Sequence, residues 1–554
     1  MVAIPKRGTA GASRAAMEEG CHMSLRVIAV AAPDWVAGVK DSRALNSRDP
    51  ASLFNACRHA AQETRTPSSA WSHSNWAGTR LERRSKVLLM YSLDEMPAFA
   101  ELLRREQPNL LLLGAMSLCL PGAVACAALA RELLGDRVVI VLGGRHASET
   151  MYLENPRRRD AEAVRHHPGS PLRLMASGRL APVFDLVISG DGEHLITALG
   201  EAVARAEREG SASLARSVFG QLDGTVPGDW IAGMLDGNTI HTRVSAARPV
   251  DYSRCPSPAL EFGVAGAFDV FGGRMTAHVF SDTGRGCVYD CAFCSERKSA
   301  TGGLRDTAHA ADRLYRQLSE AVTVISEDHP GRKSSAFVED SVILGGSPRL
   351  VDQLAQRLES APLDIEFGAQ LTIDQILTRR AQLARLARVG LRYVFIGVET
   401  LVPEAIGGMS KDLGHKQAPW LARIHQALGL LSEHGIHCGC AILFGLGETQ
   451  ERRLELLDAL WSMRRTYGMP EPISANWAVQ HPLCGEDGGA GYEYLDWGTP
   501  PGPFLDCFHR FGEASVLYPL PHVGAPRLDE VRQVTGILDA MAVPEQPRAR
   551  LLAK

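Results

Sequence analysis

The feature that most narrows the fold is an alternation of short apolar runs with helical stretches, seen once across residues 25–200 and again across 276–478. In the first series, 25–31, 86–90, 109–116, 137–142 and 184–189 read as strands, with helical spacing over 96–105 and 121–134. Such alternation predicts an α/β fold with a doubly wound, Rossmann-like parallel sheet, whose ligands sit at the carboxyl ends of the strands. Those ends carry Gly143-Gly144 and Gly190-Asp191-Gly192-Glu193, and glycine lets backbone come close to a ligand. The second series offers strands at 276–281, 335–338, 365–371, 393–398, 437–444 and 473–478. Six strand–helix repeats suit an open partial barrel, a (β/α)6 arrangement.

The 554 residues, 45% apolar and 22% charged, have room for several globular domains. The expected order is a polar, disordered tail over 1–22 with no apolar core of the signal-peptide kind, the doubly wound domain over 23–215, an irregular strap over 216–273, the barrel over 274–470, and an α+β extension over 471–554 where periodicity fades and aromatics accumulate. Segment 149–180, with Pro156-Arg157-Arg158-Arg159, reads as an inserted surface loop. The uncharged run 110–130 is long enough to mimic a membrane span. Pro121-Gly122 interrupts it, so a buried strand followed by a packed helix is expected, and no membrane partner. A net charge of −4 gives no broad basic field for nucleic acid. Cysteines scattered apart from one triplet suit a reducing cytoplasm.

That triplet, Cys287, Cys291 and Cys294, follows the first strand of the second series at C-x3-C-x2-C spacing. A structural zinc wants four closed ligands, and an iron–sulfur cluster is usually held by four thiolates. Three leave a corner open. Spacing alone admits a zinc knuckle as well as an open cluster. With Phe293 just before the third thiol, however, Gly284-Arg-Gly-Cys287-Val-Tyr-Asp-Cys291-Ala-Phe-Cys294 resembles the cluster loop of the radical S-adenosylmethionine enzymes. The resemblance implies a 4Fe-4S cluster whose fourth iron takes the amino and carboxylate groups of S-adenosylmethionine, and an external low-potential donor, flavodoxin or ferredoxin. It continues along the strand ends. Glu339 and Asp340 stand where the family places acidic residues against the S-adenosylmethionine amino group, Gln370 ends the third strand, Glu399 follows the fourth, and Ile442 to Thr449, with Glu448, resembles the fifth-strand sequence along the adenine. Each acid also has a plain structural reading: Glu448 and Thr449 as a helix cap, Glu399 as the partner of a nearby arginine. Lys411, on a polar loop, reads as solvated.

Read with Arg145-His146-Ala147-Ser148, the first series resembles the cobalamin-binding domain that precedes many radical S-adenosylmethionine domains. That resemblance implies cobalamin contacts from Ser117, Gly143, Gly144, His146, Gly190, Gly192 and Glu193. The Asp-x-His-x-x-Gly sequence that supplies a histidine beneath cobalt elsewhere is missing, so the loop at Ser117-Leu118-Cys119 is expected to cover that face. His146 reads equally as a loop histidine bonded to its own backbone. By analogy with variable C-terminal segments of the family, His481, Tyr492, Glu513 and Tyr518 are candidate contacts to a small-molecule or peptide substrate, although aromatics also fill cores. Together these features imply a C-methyltransferase that moves a methyl group from S-adenosylmethionine through methylcobalamin to an unactivated carbon of a specialised metabolite or peptide precursor. A cobalamin-assisted rearrangement or cyclisation without methyl transfer is the enzymatic alternative. A non-catalytic cobalamin or metal sensor is the alternative of another class.

Overall fold

The computed structural model describes residues 25–33, 51–73, 87–89, 96–284, 286–301, 304, 306–414, 418–480, 512–516 and 526–542. Among them lie two seven-stranded sheets and a small hairpin.

The first sheet begins with β1 (Val27–Ala31), β2 (Val87–Leu89), β3 (Leu110–Gly114) and β4 (Val139–Gly143). After the antiparallel hairpin of β5 (Met151–Leu153) and β6 (Val164–His166) come β7 (Leu186–Gly190), β8 (Trp230–Asp236) and β9 (Thr239–Val244). Its order is β2-β1-β3-β4-β7-β8-β9, parallel through β7 and antiparallel beyond. The five expected parallel strands are therefore present. Their apolar runs are buried because helices cover both faces, with Phe99, Leu103 and Ala127 on one side and Trp71, Leu195 and Leu199 on the other.

Two expectations need correction. The strap over 216–273 is not irregular at its start, since β8 and β9 extend the sheet; β9 is a polar edge strand whose residues alternate between exposed and half-buried, which hides it from an apolar search. Segment 149–180 is not a mere surface loop, since its helix Pro171–Ala176 buries Leu172, Leu174 and Met175 in the core.

The second sheet runs β10 (Met275–Val279), β11 (Ser334–Val338), β12 (Ile365–Gln370), β13 (Leu391–Gly397), β14 (His437–Gly445), β15 (Glu471–Gln480) and β16 (Gly512–Val516), every neighbour parallel and in chain order. This is an open barrel of seven strands rather than six, and it reaches past residue 470. The seventh strand, Gly-Glu-Ala-Ser-Val, has too little apolar alternation to announce itself. Helices such as Ala310–Asp328 and Pro348–Ser360 bury Leu314, Leu318 and Leu354 against the outer face. No helix among the described residues is long and apolar enough to cross a membrane.

The carboxyl edges of the two sheets meet. Helix Arg145–Thr150, which follows β4, packs on helix Lys298–Thr301, which follows the cysteine loop, and β16 lies against the turn Ser117–Cys119 after β3.

Candidate active site

The cysteine loop leaves β10 through Ser281-Asp282-Thr283, all three buried. Asp282 sits at φ +55°, a left-handed conformation that costs a non-glycine residue roughly 1–2 kcal/mol and persists only where its surroundings hold it. They do: the fully buried Arg58 guanidinium, from helix Ala51–Glu63, bonds both carboxylate oxygens at 2.6 and 3.1 Å, and Gln317 Nε2 donates to the second at 2.8 Å. Arg313 donates to the backbone oxygens of Ser281 and Asp282. Beyond this anchor the loop turns at Gly286 (φ +88°), where a β-carbon would come within 1.9 Å of the Thr301 hydroxyl. Cys287 N then donates to Glu296 O and Lys298 N to Tyr289 O, at 2.7 and 2.9 Å.

The thiols of this loop are drawn in from solvent. Cys291 is buried, and burial pushes the Cys294 thiol up to about 12 and that of Cys287 upward as well. Thiols so desolvated shed their protons against a metal rather than against water. Three thiols leave one corner of a tetrahedral zinc site unfilled, whereas a cubane can take one thiolate on each of three irons and leave the fourth iron open. The donor set fits the cluster.

Phe293, the aromatic residue before the third thiol, packs with Ile406, Met409 and Leu443. The Lys411 ammonium stands 5.8 Å from its ring centroid and pairs with Glu399. Lys411 is thus half-buried and paired rather than solvated. Burial opposes its charge, but the Glu399 carboxylate more than offsets this and its pKa is raised. Glu399 itself lies at φ +58° just beyond β13; its partner is this lysine, not an arginine.

The remaining strand-end residues divide. Asp340 accepts from Ser281 N and Leu344 N at 2.9 Å each, and it borders the same cavity as Glu339. Glu339 accepts from, or shares a proton with, His278 Nδ1 at 2.7 Å, and lines a cavity between the cysteine loop and the first sheet together with Asp282, Gly284 and Gly286. Gln370 ends β12, half-buried. Glu448 is buried, accepts from Gly445 N at 2.6 Å and has the Thr400 side chain beside its carboxyl. Burial raises its pKa to about 7. Thr449 caps helix Gln450–Tyr467 by accepting from Arg452 N.

On the first sheet, Ala115 N donates to Gly143 O and His146 N to Ala115 O, which binds the loops after β3 and β4 together. Gly144 (φ +94°) allows this, since a β-carbon there would meet Ala115 N at 2.6 Å. Ser117 hydrogen-bonds His146 Nδ1, and His146 Nε2 donates to or faces Gly169 O, both at 3.0 Å. The His146 ring is buried with both nitrogens engaged within the protein; burial lowers its pKa to about 4, so it is neutral at pH 7. Gly190 is required by packing, because a β-carbon would strike Asp229 O at 2.0 Å. Gly192 precedes helix Glu193–Arg208, and Glu193 is buried facing the same cavity as Glu339. His481, Tyr492 and Tyr518 lie outside the described residues; Glu513 stands on β16 opposite Trp477.

Four contributors escaped the sequence: Arg58, His278, and the cross-sheet pairs Arg145–Glu296 and Arg297–Glu149, the latter at 2.9 Å. Only His278, a polar residue in a buried strand, left a signal there.

Residues 282–460 match the family model of the radical SAM superfamily. The chain therefore carries a radical SAM domain, an enzyme fold whose cofactors are a 4Fe-4S cluster and S-adenosylmethionine. A protein of Pyrococcus horikoshii, "Uncharacterized methyltransferase PH0819", is 21% identical over 357 residues, 64% of each chain. Among solved structures, the cobalamin-dependent S-adenosylmethionine radical enzyme OxsB, with aqua-cobalamin and S-adenosylmethionine bound, aligns at 16% identity and TM-score 0.47 over 79% of this chain and 52% of its own. The radical S-adenosylmethionine methyltransferase TsrM from Kitasatospora setae, with tryptophan substrate and a SAM analog, aligns at 17% identity and TM-score 0.44, over 79% and 71%. The chain thus spans less than two thirds of the curated relative and about half of OxsB.

Proposed function

We propose that this protein is a cobalamin-dependent radical S-adenosylmethionine methyltransferase that places a methyl group on an unactivated carbon of a small specialised metabolite or peptide. The observation that carries the reading is the apposition of two ligand edges: the open cysteine loop of the barrel faces the β3 and β4 loops of a sheet ordered 2-1-3-4-7. In a doubly wound sheet of this order a ligand binds outside the β1/β3 switch point. The chain's similarity to a curated methyltransferase points the same way.

Cys287, Cys291 and Cys294 would hold the cluster, and Glu339, Gln370 and Glu399 with Lys411 would orient S-adenosylmethionine beside it. Ser117 and the glycine loops at Gly143-Gly144 would floor the cobalamin. Bound together, these groups supply a strong hydrogen-atom abstractor and a methyl carrier. The chain's part would be to hold the two cofactors edge to edge, and the ion pairs Arg145–Glu296 and Arg297–Glu149, which join the loops on the two sides, support that reading. A carbon without acidity cannot attack a sulfonium methyl group directly, so both cofactors are needed. The electron donor and a cytoplasmic setting belong to the same proposal.

The test is an anaerobic, reconstituted holoenzyme given methyl-labelled S-adenosylmethionine and an extract of the producing cells. S-Adenosylhomocysteine and a labelled product should form only when cobalamin is present. Product and 5′-deoxyadenosine without transferred label would overturn the methyltransferase reading. Alanine at any of the three cysteines should bring iron well below the roughly four atoms per chain of a cubane.

A further inference from the structure

Ser410 lies on the loop between β13 and helix Trp420–Glu433, and that loop is fixed from both ends. Arg423 pairs with Asp374 and Asp412, and Leu413 N donates to Asp374 Oδ2 at 2.6 Å. Met409 is buried beside Phe293, and Lys411 is paired with Glu399. Between these anchors the Ser410 hydroxyl is brought to the cysteine loop, where Oγ accepts from Asp290 N at 2.7 Å and lies 3.5 Å from Cys291 Sγ.

We propose that Ser410 is a positioning residue that donates its hydroxyl hydrogen to the ligating sulfur of Cys291 and so raises the reduction potential of the cluster. The direction of the bond follows from proton accounting. A metal-bound cysteine is a thiolate with no hydrogen to give, and the serine oxygen accepts from Asp290 N, so in a contact between the two atoms the serine O–H is the donor and the sulfur the acceptor. A hydrogen bond to a cluster sulfur draws negative charge off the iron and favours the added electron. The step affected is a one-electron reduction, with dithionite or a flavodoxin-type protein as donor; no bond forms or breaks. Because the outer side of Ser410 meets solvent, water partly replaces a lost hydroxyl, and the expected change is about threefold to tenfold in the reduction equilibrium rather than more. The inference rests on the cluster reading of the three cysteines.

The experiment compares the full-length reconstituted protein with Ser410→Thr and Ser410→Val, which match each other in bulk and differ in the hydroxyl. Iron and sulfide are counted first, and the midpoint is then read by paramagnetic resonance during dithionite titration. Ser410→Thr should stay within threefold of the parent. Ser410→Val should shift to a more negative potential, by up to ~59 mV, the one-electron equivalent of tenfold, and should release iron to a chelator faster than Ser410→Thr. Equal midpoints and equal iron release in the Thr and Val proteins overturn the role of Ser410 while leaving the cluster intact. A parent protein that takes up no iron and sulfide overturns the cluster reading, and this inference with it.

Discussion

Glu448 shows how one buried side chain writes a pH dependence into the barrel. Burial raises its pKa from 4.5 to about 7, against the hydrogen bonds that Gly445 N and the Thr400 side chain offer its carboxyl. A carboxyl whose folded pKa lies above its unfolded one binds more protons in the native state, so the stability it contributes is complete below pH 4.5 and is lost as pH rises through 7. The displacement amounts to about 3 kcal/mol. Glu448→Gln, neutral at every pH, should flatten the stability profile between pH 4.5 and 7 in urea titrations of the apoprotein. A parent profile already flat over that interval would refute the account. Lys411 follows the opposite logic, since burial disfavours its charge and Glu399 restores it. Lys411→Met therefore leaves Glu399 buried and unpaired, a change that usually costs several kcal/mol. Chemical denaturation should record it, and Lys411→Met with Glu399→Gln should recover most of the loss.

At the scale of elements, helix Ala51–Glu63 is the piece that sequence periodicity did not single out, although it locks the entrance of the cysteine loop. Its Arg58 is buried to zero exposure against Asp282, and its neighbour Arg65 reaches Glu261 at 2.6 Å. Arg58→Ala strands the Asp282 carboxylate, and breaking one side of such a pair costs about 3–5 kcal/mol. The denaturation midpoint should fall accordingly; Arg58→Ala with Asp282→Asn should lose less than Arg58→Ala alone. What was legible and what was not divides along the same line. Strands such as Leu110–Gly114 and Val139–Gly143 are apolar runs buried on both faces, and the three cysteines carry their chemistry in their spacing. Both are local signals. Arg58 meets Asp282 across 224 residues and Arg297 meets Glu149 across 148, and nothing local marks an arginine for such a partner. β9 and β16 were missed for a third reason: each is a short strand at a sheet edge, where burial no longer dictates apolar composition. The partners of His146 were not legible either, because Ser117 and Gly169 O come from separate loops.

In the whole molecule, the two sheets behave as one device only if their facing edges move together, and the contacts that enforce this are few and specific. Arg145 pairs with Glu296, two residues beyond Cys294, and Arg297 reaches Glu149 while also donating to Cys294 O at 3.0 Å. Glu149 in turn lies 3.5 Å from the Ser117 hydroxyl, on the turn after β3. A continuous line of polar contacts thus runs from the third cysteine to the ligand edge of the first sheet. The groups are about a quarter exposed or less, so each pair is stronger than a surface salt bridge but weaker than a fully buried one, on the order of 1 kcal/mol. That energy corresponds to about fivefold in a local opening equilibrium. Arg297→Ala should therefore speed amide hydrogen exchange not only in its own loop, 287–297, but also in helix Arg145–Thr150 on the opposite sheet. Arg158→Ala is the control, because Arg158 is exposed and, among the described residues, pairs with Asp160 and Glu162 of its own loop, and it should leave the cysteine loop untouched. If the Arg297 substitution accelerates exchange in 287–297 alone, the two edges are neighbours without being coupled. Acceleration on both sides, absent from the Arg158 control, means that a change at one cofactor edge is felt at the other, as an enzyme passing a methyl group between them requires.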